Sequence, residues 1–415
     1  MDTAETSSET TPAPLSPQSV GGLKYFQPIR KLLARLRDDA PDPKRTLHYD
    51  EYVTLLLLSY FNPLLKGLRG LQAASDLRKI RREFGVQHAS WGSLSESARV
   101  FHPDLLRSIY LQLAKEVSAK NGPARPKGVP EELALLAADG TLMDALPKML
   151  WALWQGPHQH ALKLHFQYDV LRGVPVDVSL THGNGNEKEE LKAHLHAACL
   201  YLLDRGYRQY GLFQAIIDAH SSFVARVQGN VVYKVIETRA LSEAARAAGV
   251  ESDEVVRLGG KKSGQDLRQA VRLIHVHVKN PPAHGLKGRL ARVNGKVKCI
   301  RTSKDEYDVW LATDLLDVPA EIIAQLYVFR WQVELFFRWF KCVLGCKHLL
   351  SHSPEGILIQ VYAALIATLL IVQWTGRKPT RMLFTMLGLY MQGWAEEDEV
   401  VAYIERLASA EKASR

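Results

Sequence analysis

Residues 327–341, YVFRWQVELFFRWFK, lie inside a longer apolar run at 320–350 and decide how the rest of the chain is read. Ala320, Ile323, Leu326 and Tyr327 recur at three- and four-residue spacing, as do Phe329, Val333, Phe336, Phe337 and Phe340. That periodicity predicts one amphipathic helix. Pro319 stands where a first-turn proline belongs, and Gly345 where a helix stops. Tyr327, Arg330, Glu334, Arg338 and Lys341 step by three or four and so share one side. A solvated stripe with i,i+4 ion pairs accounts for most such faces. A lone acid set among a phenol and three cations is nevertheless an unusual composition for a purely structural helix.

The bulk properties narrow the field. At 415 residues the chain exceeds one ordinary core, so two or three domains are expected. An apolar content of 47% is that of a globular protein, and a net charge of +9 suits a polyanionic partner. Cys199, Cys299, Cys342 and Cys346 are too few and too scattered for a secreted disulfide framework. Residues 1–22 are rich in Ser, Thr and Pro, carry acids without a basic region or apolar core, and read as a disordered tail rather than a signal peptide. The most membrane-like run, 357–374, is slightly short and carries Gln360, Thr368 and Gln373, so it reads as a buried helix. The expectation is a soluble, cytoplasmic protein with no membrane partner.

Residues 23–128 are expected to form an all-helical N-terminal domain. PIRKLLARLRDD, YDEYVTLLLLSYFNPLL, GLRGLQAASDLRKIRREFG and HPDLLRSIYLQLAKEV all carry helical spacing, with Pro63 and Pro103 as punctuation. Arg30, Lys31, Arg35 and Arg37, and then Arg78, Lys79, Arg81 and Arg82, give two helices basic faces, as a DNA-binding module would have. No clear helix-turn-helix sequence is present. The pattern then changes to strand, strand, strand, helix, strand, helix, strand over 129–228, a mixed α/β layer. Residues 229–304 read as a β-rich insertion with many cations, among them Lys261, Lys262, Arg268, Lys287 and Arg289. Residues 305–374 return to the core, with YDVWLATDLL as a strand before the signature helix, and 375–415 form a closing helical segment.

Two apolar strands end in acids: ELALLAADGTLMDAL at Asp139 and CLYLLDRGY at Asp204. Carboxylates at such places are costly unless they bind something. With Glu334 they make three, and three converging carboxylates hold two divalent metal ions about 4 Å apart, the arrangement that drives in-line attack on a phosphodiester. Mg2+ suits the task because it takes oxygen ligands and keeps water positions for substrate phosphates.

The spacing Tyr327-x2-Arg330-x3-Glu334-x6-Lys341 resembles the signature of bacterial insertion-sequence transposases of the DDE type, in the group numbered four. The resemblance extends over most of 133–374. Asp139 matches the family's D-G-T or D-S-T context, and Asp204, Arg205, Gly206 and Tyr207 match D-R-G-Y/F. Trp310, Leu311, Ala312 and Thr313 match W-L-x-T, and 315–319 match L-L-x-x-P. A β-rich insertion between the second Asp and the Glu is also a family trait. The resemblance implies an RNase H-like catalytic core with Asp139, Asp204 and Glu334 as metal ligands. It implies two Mg2+ or Mn2+ ions per site, double-stranded DNA as partner (inverted-repeat ends and target), and a homodimer acting near the nucleoid. It also implies cleavage at the ends of a mobile element and joining of those ends to new DNA. Tyr327, Arg330 and Lys341 are then DNA-binding groups, Arg330 by forking phosphate oxygens and Lys341 as a point charge. Trp310 has two readings, a core residue on a strand or a platform for a base flipped from the duplex end. Arg205 either touches the scissile phosphate or pairs with an acid.

Other residues compete less well. Asp144 falls past the first strand, Asp218 sits late in a helix where it caps or pairs, and Asp169 stands before a hairpin turn where Asp bonds locally. Cys342, Cys346 and His348, the group His194, His196 and Cys199, and His158, His160 and His165 lack the paired spacing of a structural zinc site, so zinc is set aside.

Overall fold

The structure is a computed structural model that describes residues 27–39, 44–62, 65, 67–117, 123–146, 148–154, 156–260, 267–279, 289–293, 296–300, 306–346 and 348–413. The N-terminal tail at 1–22 lies outside these residues, as do Lys261, Lys262 and Lys287. The chain divides into two compact units, one of residues 1–110, 355–375 and 379–415, the other of 111–354 and 376–378.

The first unit opens with α1 (Gln27–Asp39), α2 (Tyr49–Phe61), α3 (Leu68–Asp76), α4 (Arg78–Phe84) and α5 (Trp91–Val100), followed by α6 (Pro103–Glu116), whose residues divide between the units. The run expected as one helix at 67–85 breaks at Leu77 and closes on Gly85, which takes the left-handed conformation (φ 69°) that ends helices. α2 is buried all round, and its Glu51 is held by Arg37 Nη2 at 3.2 Å and by the backbone N–H of Gln87. Several cations of the two basic faces are therefore paired: Arg37 also with Asp50, Arg81 with Asp76, and Arg82 with Glu83.

The second unit is built on a ten-stranded mixed sheet. Its strands are β1 (Ala134–Asp144), β2 (Leu153–Trp154), β3 (Gly156–Asp169), β4 (Val174–His182), β5 (Cys199–Leu203), β6 (Ser222–Val227), β7 (Tyr233–Thr238), β8 (Val250–Leu258), β9 (Val271–Lys279) and β12 (Glu306–Thr313). β10 (Arg289–Val293) and β11 (Lys296–Ile300) pair separately. The helices are α7 (Glu187–Ala193), α8 (Tyr210–Asp218), α9 (Glu243–Ala247), α10 (Ala320–Phe329) and α11 (Gln332–Arg338). β4, β3 and β1 run antiparallel, while β1, β5 and β6 run parallel, which is the strand order of an RNase H-like core. Leu135 to Ala138 and all of β5 are buried, as parallel strands covered on both faces must be.

β12 decides where the insertion goes. It lies antiparallel to β6 on one side and to β9 on the other, so β9, β8 and β7 extend the same sheet as a meander. The cation-rich insertion supplies β7, β8 and β9 to this sheet, while its β10 and β11 pair apart from it. Arg272 of β9 ties this extension to the loop before α10. It is buried (2% exposed), forks Asp253 at 3.0 and 2.6 Å, and donates to the carbonyls of Leu315, Leu316 and Val318.

The signature segment is not the single helix that its periodicity predicts. α10 and α11 are joined by a tightened turn in which Arg330 N–H donates to Tyr327 and Val333 N–H to Arg330, both at 3.2 Å and both three residues back. A π turn follows at Trp339–Val343, closed by Leu344 N–H on the carbonyl of Trp339. Arg330 and Trp331 keep right-handed helical dihedrals, so the faces run on through the break. Phe336, Phe337 and Phe340 all meet Phe166 of β3, with ring centroids 5.5, 5.6 and 5.5 Å away. These aromatic contacts fix α11 and the π turn against the sheet.

The first unit ends with α12 (Pro354–Thr375), α13 (Arg381–Met391) and α14 (Glu397–Ala413). α12 is long and apolar enough to cross a membrane, yet it is buried along nearly its whole length. Tyr60 donates its hydroxyl to the carbonyl of Gln360 at 2.9 Å, and Trp374 packs on Phe61 with centroids 5.3 Å apart.

Candidate active site

Register places the first two acids. In the parallel pair of β1 and β5, Ala138 stands opposite Leu203, so Asp139 and Asp204 emerge side by side at the next position. β5 ends there, while β1 continues alongside β3 past the expected end at Asp139 to Asp144. The carboxyl ends of parallel strands are where open α/β sheets bind their ligands, because the chain leaves the sheet there and opens a crevice. Of the competing acids, Asp144 is the exposed last residue of β1 and not past the strand, and the other two are engaged elsewhere. Asp169 accepts from the N–H groups of Leu171 and Arg172, and Asp218 is forked by Arg268 at 2.6 and 2.8 Å.

Asp139 Oδ1 accepts the N–H of Gly140 at 2.8 Å. Burial pushes its carboxyl up to about 7; the charges of Glu334 and Glu187 push the same way, against Gly140 N–H and Arg330. Glu187, at the start of α7, is a nearby acid that periodicity reads only as a helix opening. A Cβ on Gly140 would sit 2.7 Å from Glu187 Oε1, so the glycine after Asp139 lets this carboxylate approach. Lys163 Nζ balances it at 3.1 Å.

Glu334 sits in the first turn of α11. Its Oε1 is 2.7 Å from Arg330 Nη1, and its buried Oε2 has no hydrogen-bond partner. Burial raises its pKa and Asp204 adds to the rise, against the pull of Arg330. Tyr327 donates its hydroxyl to Asp204 Oδ1 at 3.1 Å, and its ring lies 5.8 Å from the Arg330 guanidinium. The helix face thus reaches both sides of the site: Tyr327 holds one acid and Arg330 another. Arg330, expected on a phosphate, is buried and paired with the acid itself. Lys341 Nζ donates to the carbonyl of Leu142 on β1 at 3.3 Å. Arg205 is exposed in the short 3-10 turn after Asp204. Trp310 is half-buried, stacked on His275 at 4.2 Å and packed against the core beneath β6 and β9.

The site's chemistry fits a divalent cation. Its donors are all carboxylate oxygens; one of them, Glu334 Oε2, is buried without a partner, and Asp139 is driven towards its neutral form by burial and neighbouring acids. A cation relieves all of these at once. The ligand atoms of Asp139, Asp204 and Glu334 do not all lie within 4.8 Å of one another.

The raised pKa of Asp139 has a consequence for the metal-free protein. A carboxyl that ionises near 7 when folded and near 3.8 when unfolded favours folding below pH 4, and that contribution is lost as the pH climbs to 7. Asp139→Asn is therefore expected to raise the melting temperature at pH 8 in the presence of chelator, with the gain shrinking towards pH 4. Equal gains at pH 8 and pH 4 would contradict the burial account.

Neighbouring acids where the parallel pairing of two central strands ends in an RNase H-like sheet, with a third on a helix beside them, are the arrangement of a class of phosphodiester-processing cores. The chain belongs to the transposase DDE domain family, whose model matches residues 131–370. The family generally uses divalent metal ions. A Sinorhizobium fredii protein named as transposase y4zB is 30% identical over 234 residues, 54% of this chain and 58% of that protein. A Geobacillus stearothermophilus protein named for the transposase of insertion sequence IS5377 is 24% identical over 80% of this chain and 77% of its own length. A Synechocystis protein named for the transposase of IS4SA is 19% identical over 78% of this chain and 83% of its own.

Proposed function

We propose that this protein is the transposase of an insertion sequence, cutting the element's ends and joining them to target DNA. The observation that carries the reading is the β1–β5 register, which sets Asp139 beside Asp204 with Tyr327 and Glu334 of the signature segment upon them. Asp139, Asp204 and Glu334 would hold two Mg2+ or Mn2+ ions, which supply an activated water or 3′ hydroxyl and stabilise the leaving oxygen. The chain's own groups set the frame. Tyr327 fixes the Asp204 carboxylate, and Arg330 holds Glu334 in place and offsets the charge of the clustered acids. Arg205 and Lys341 supply positive charge for phosphates, and Arg330 and Tyr327 reach DNA when the Glu334 pair opens. Trp310, with one ring face on His275, is the candidate platform for an unstacked base. The helices within 23–128 add DNA contacts, and the active species is a homodimer on paired ends, cytoplasmic and at the nucleoid.

The test is incubation of the full chain with Mg2+, DNA carrying element ends, and supercoiled target. Products linking the two DNAs support transposition. Cut ends without joined products identify a metal-dependent nuclease of the same core, and uncut DNA identifies an inactive DNA-binding relic. Lys341→Ala is expected to weaken binding of end DNA about equally for all sequences and to lower the slope of log affinity against log salt by about 1. An unchanged salt slope would remove Lys341 from the phosphate contacts.

A further inference from the structure

We propose that Glu251, His275 and Asp308 form a second metal site, for a zinc-class transition-metal ion, on the β8–β9–β12 extension of the sheet. The ligand atoms of these residues all lie within 4.8 Å of one another. Their convergence follows from strand register. Asp308 pairs with His277 and Trp310 with His275, so alternation along β9 and β12 puts these side chains on one face. On β8 the register shifts between Val250 and Ser252, which face the consecutive residues Val276 and His275. Glu251 is the extra residue of that bulge, and a bulge re-aims a side chain. Its Oε2 comes within 3.2 Å of His275 Nδ1.

The imidazole is held ready to ligate. Trp310 stacks on it at 4.2 Å and 8°, which sets the ring plane. His275 Nε2 is buried and lies 3.2 Å from Asp308 Oδ1, while Nδ1 faces Glu251. His277 Nδ1 reaches the same Asp308 oxygen at 3.0 Å and orients it, the part an outer group plays around a metal ligand. Glu251 and Asp308 are 53% and 56% exposed, which leaves room for water or a phosphate oxygen as a further ligand. A mixed nitrogen and oxygen set selects zinc-class ions over Mg2+, which demands oxygen alone. The bound ion would pin three strands together and lock Trp310 through the stacked His275.

The experiment is a Co2+ titration of the full chain in excess Mg2+, read by visible absorption, with Zn2+ as competitor. Tight binding of one ion per chain is expected, with affinity reduced at least about tenfold in Glu251→Gln and in Asp308→Asn. Both positions are solvent-facing, and circular dichroism checks that each variant folds. The Asp139→Asn/Glu334→Gln double variant should bind Co2+ as the wild type does. The proposal is overturned by no stoichiometric binding in excess Mg2+, by binding that survives in both Glu251→Gln and Asp308→Asn, or by binding lost in the Asp139/Glu334 variant.

Discussion

Asp139→Asn, Asp204→Asn and Glu334→Gln are each expected to yield a folded protein that cuts element-end DNA at least about a thousandfold more slowly than the wild type. The size follows from the charge. A correctly held metal ion stabilises the transition state by several kcal/mol, and each 1.36 kcal/mol is tenfold in rate, so about 4 kcal/mol is about a thousandfold. Asn at 139 still accepts the Gly140 N–H, and Asn at 204 still accepts the Tyr327 hydroxyl, so the frame survives. Gln at 334 leaves the buried Arg330 without its carboxylate, and that variant should also melt lower. Because the acids act as a unit, a double variant should be scarcely slower than the worst single one. Single-turnover cleavage of labelled end DNA, beside a melting curve for each variant, checks the set. A folded variant that cleaves at the wild-type rate would sink the metal-ligand assignment.

The neighbouring places of Asp139 and Asp204 were legible because an acid after an apolar run is a local signal, although β1 runs on past Asp139 to Asp144 while β5 stops at Leu203. Other features are local but silent. The break at Arg330 and Trp331 leaves helical dihedrals on both sides, so the apolar period passes through it unmarked. β7 is an exposed edge strand with no buried face, and so shows no alternation to read. A third group exists only in three dimensions. Glu187 matters through the approach of α7 to Gly140, and Glu251, His275 and Asp308 meet only because three strands align with a bulge. Arg330 is a different case. A signature spacing reports which residue types share a helix face, but not whether a cation's partner is a phosphate or the glutamate four residues on.

Arg272→Ala is expected to destabilise the protein by about 3–5 kcal/mol, the usual loss when one member of a buried ion pair is removed and the other stays charged. Here the loss reaches further than the pair. Arg272 also donates to the carbonyls of Leu315, Leu316 and Val318, the loop that joins β12 to α10. Leu315 and Val318 would lose this donor together with Asp253, while the Leu316 carbonyl keeps Arg239. At roughly 2–4 °C per kcal/mol for a domain of this size, the melting temperature should fall by about 6–20 °C. Cleavage should fall as well, because the loop delivers α10 and hence Tyr327 to Asp204. Two further variants separate the causes. Asp253→Asn keeps the carbonyl contacts and should lose less than Arg272→Ala. Arg272→Met with Asp253→Leu removes both charges and should recover much of the stability, but not the loop contacts, so its cleavage should remain impaired. An Arg272→Ala protein that melts within about 2 °C of the wild type would mean that the clamp contributes under about 1 kcal/mol and that α10 is positioned by its packing alone.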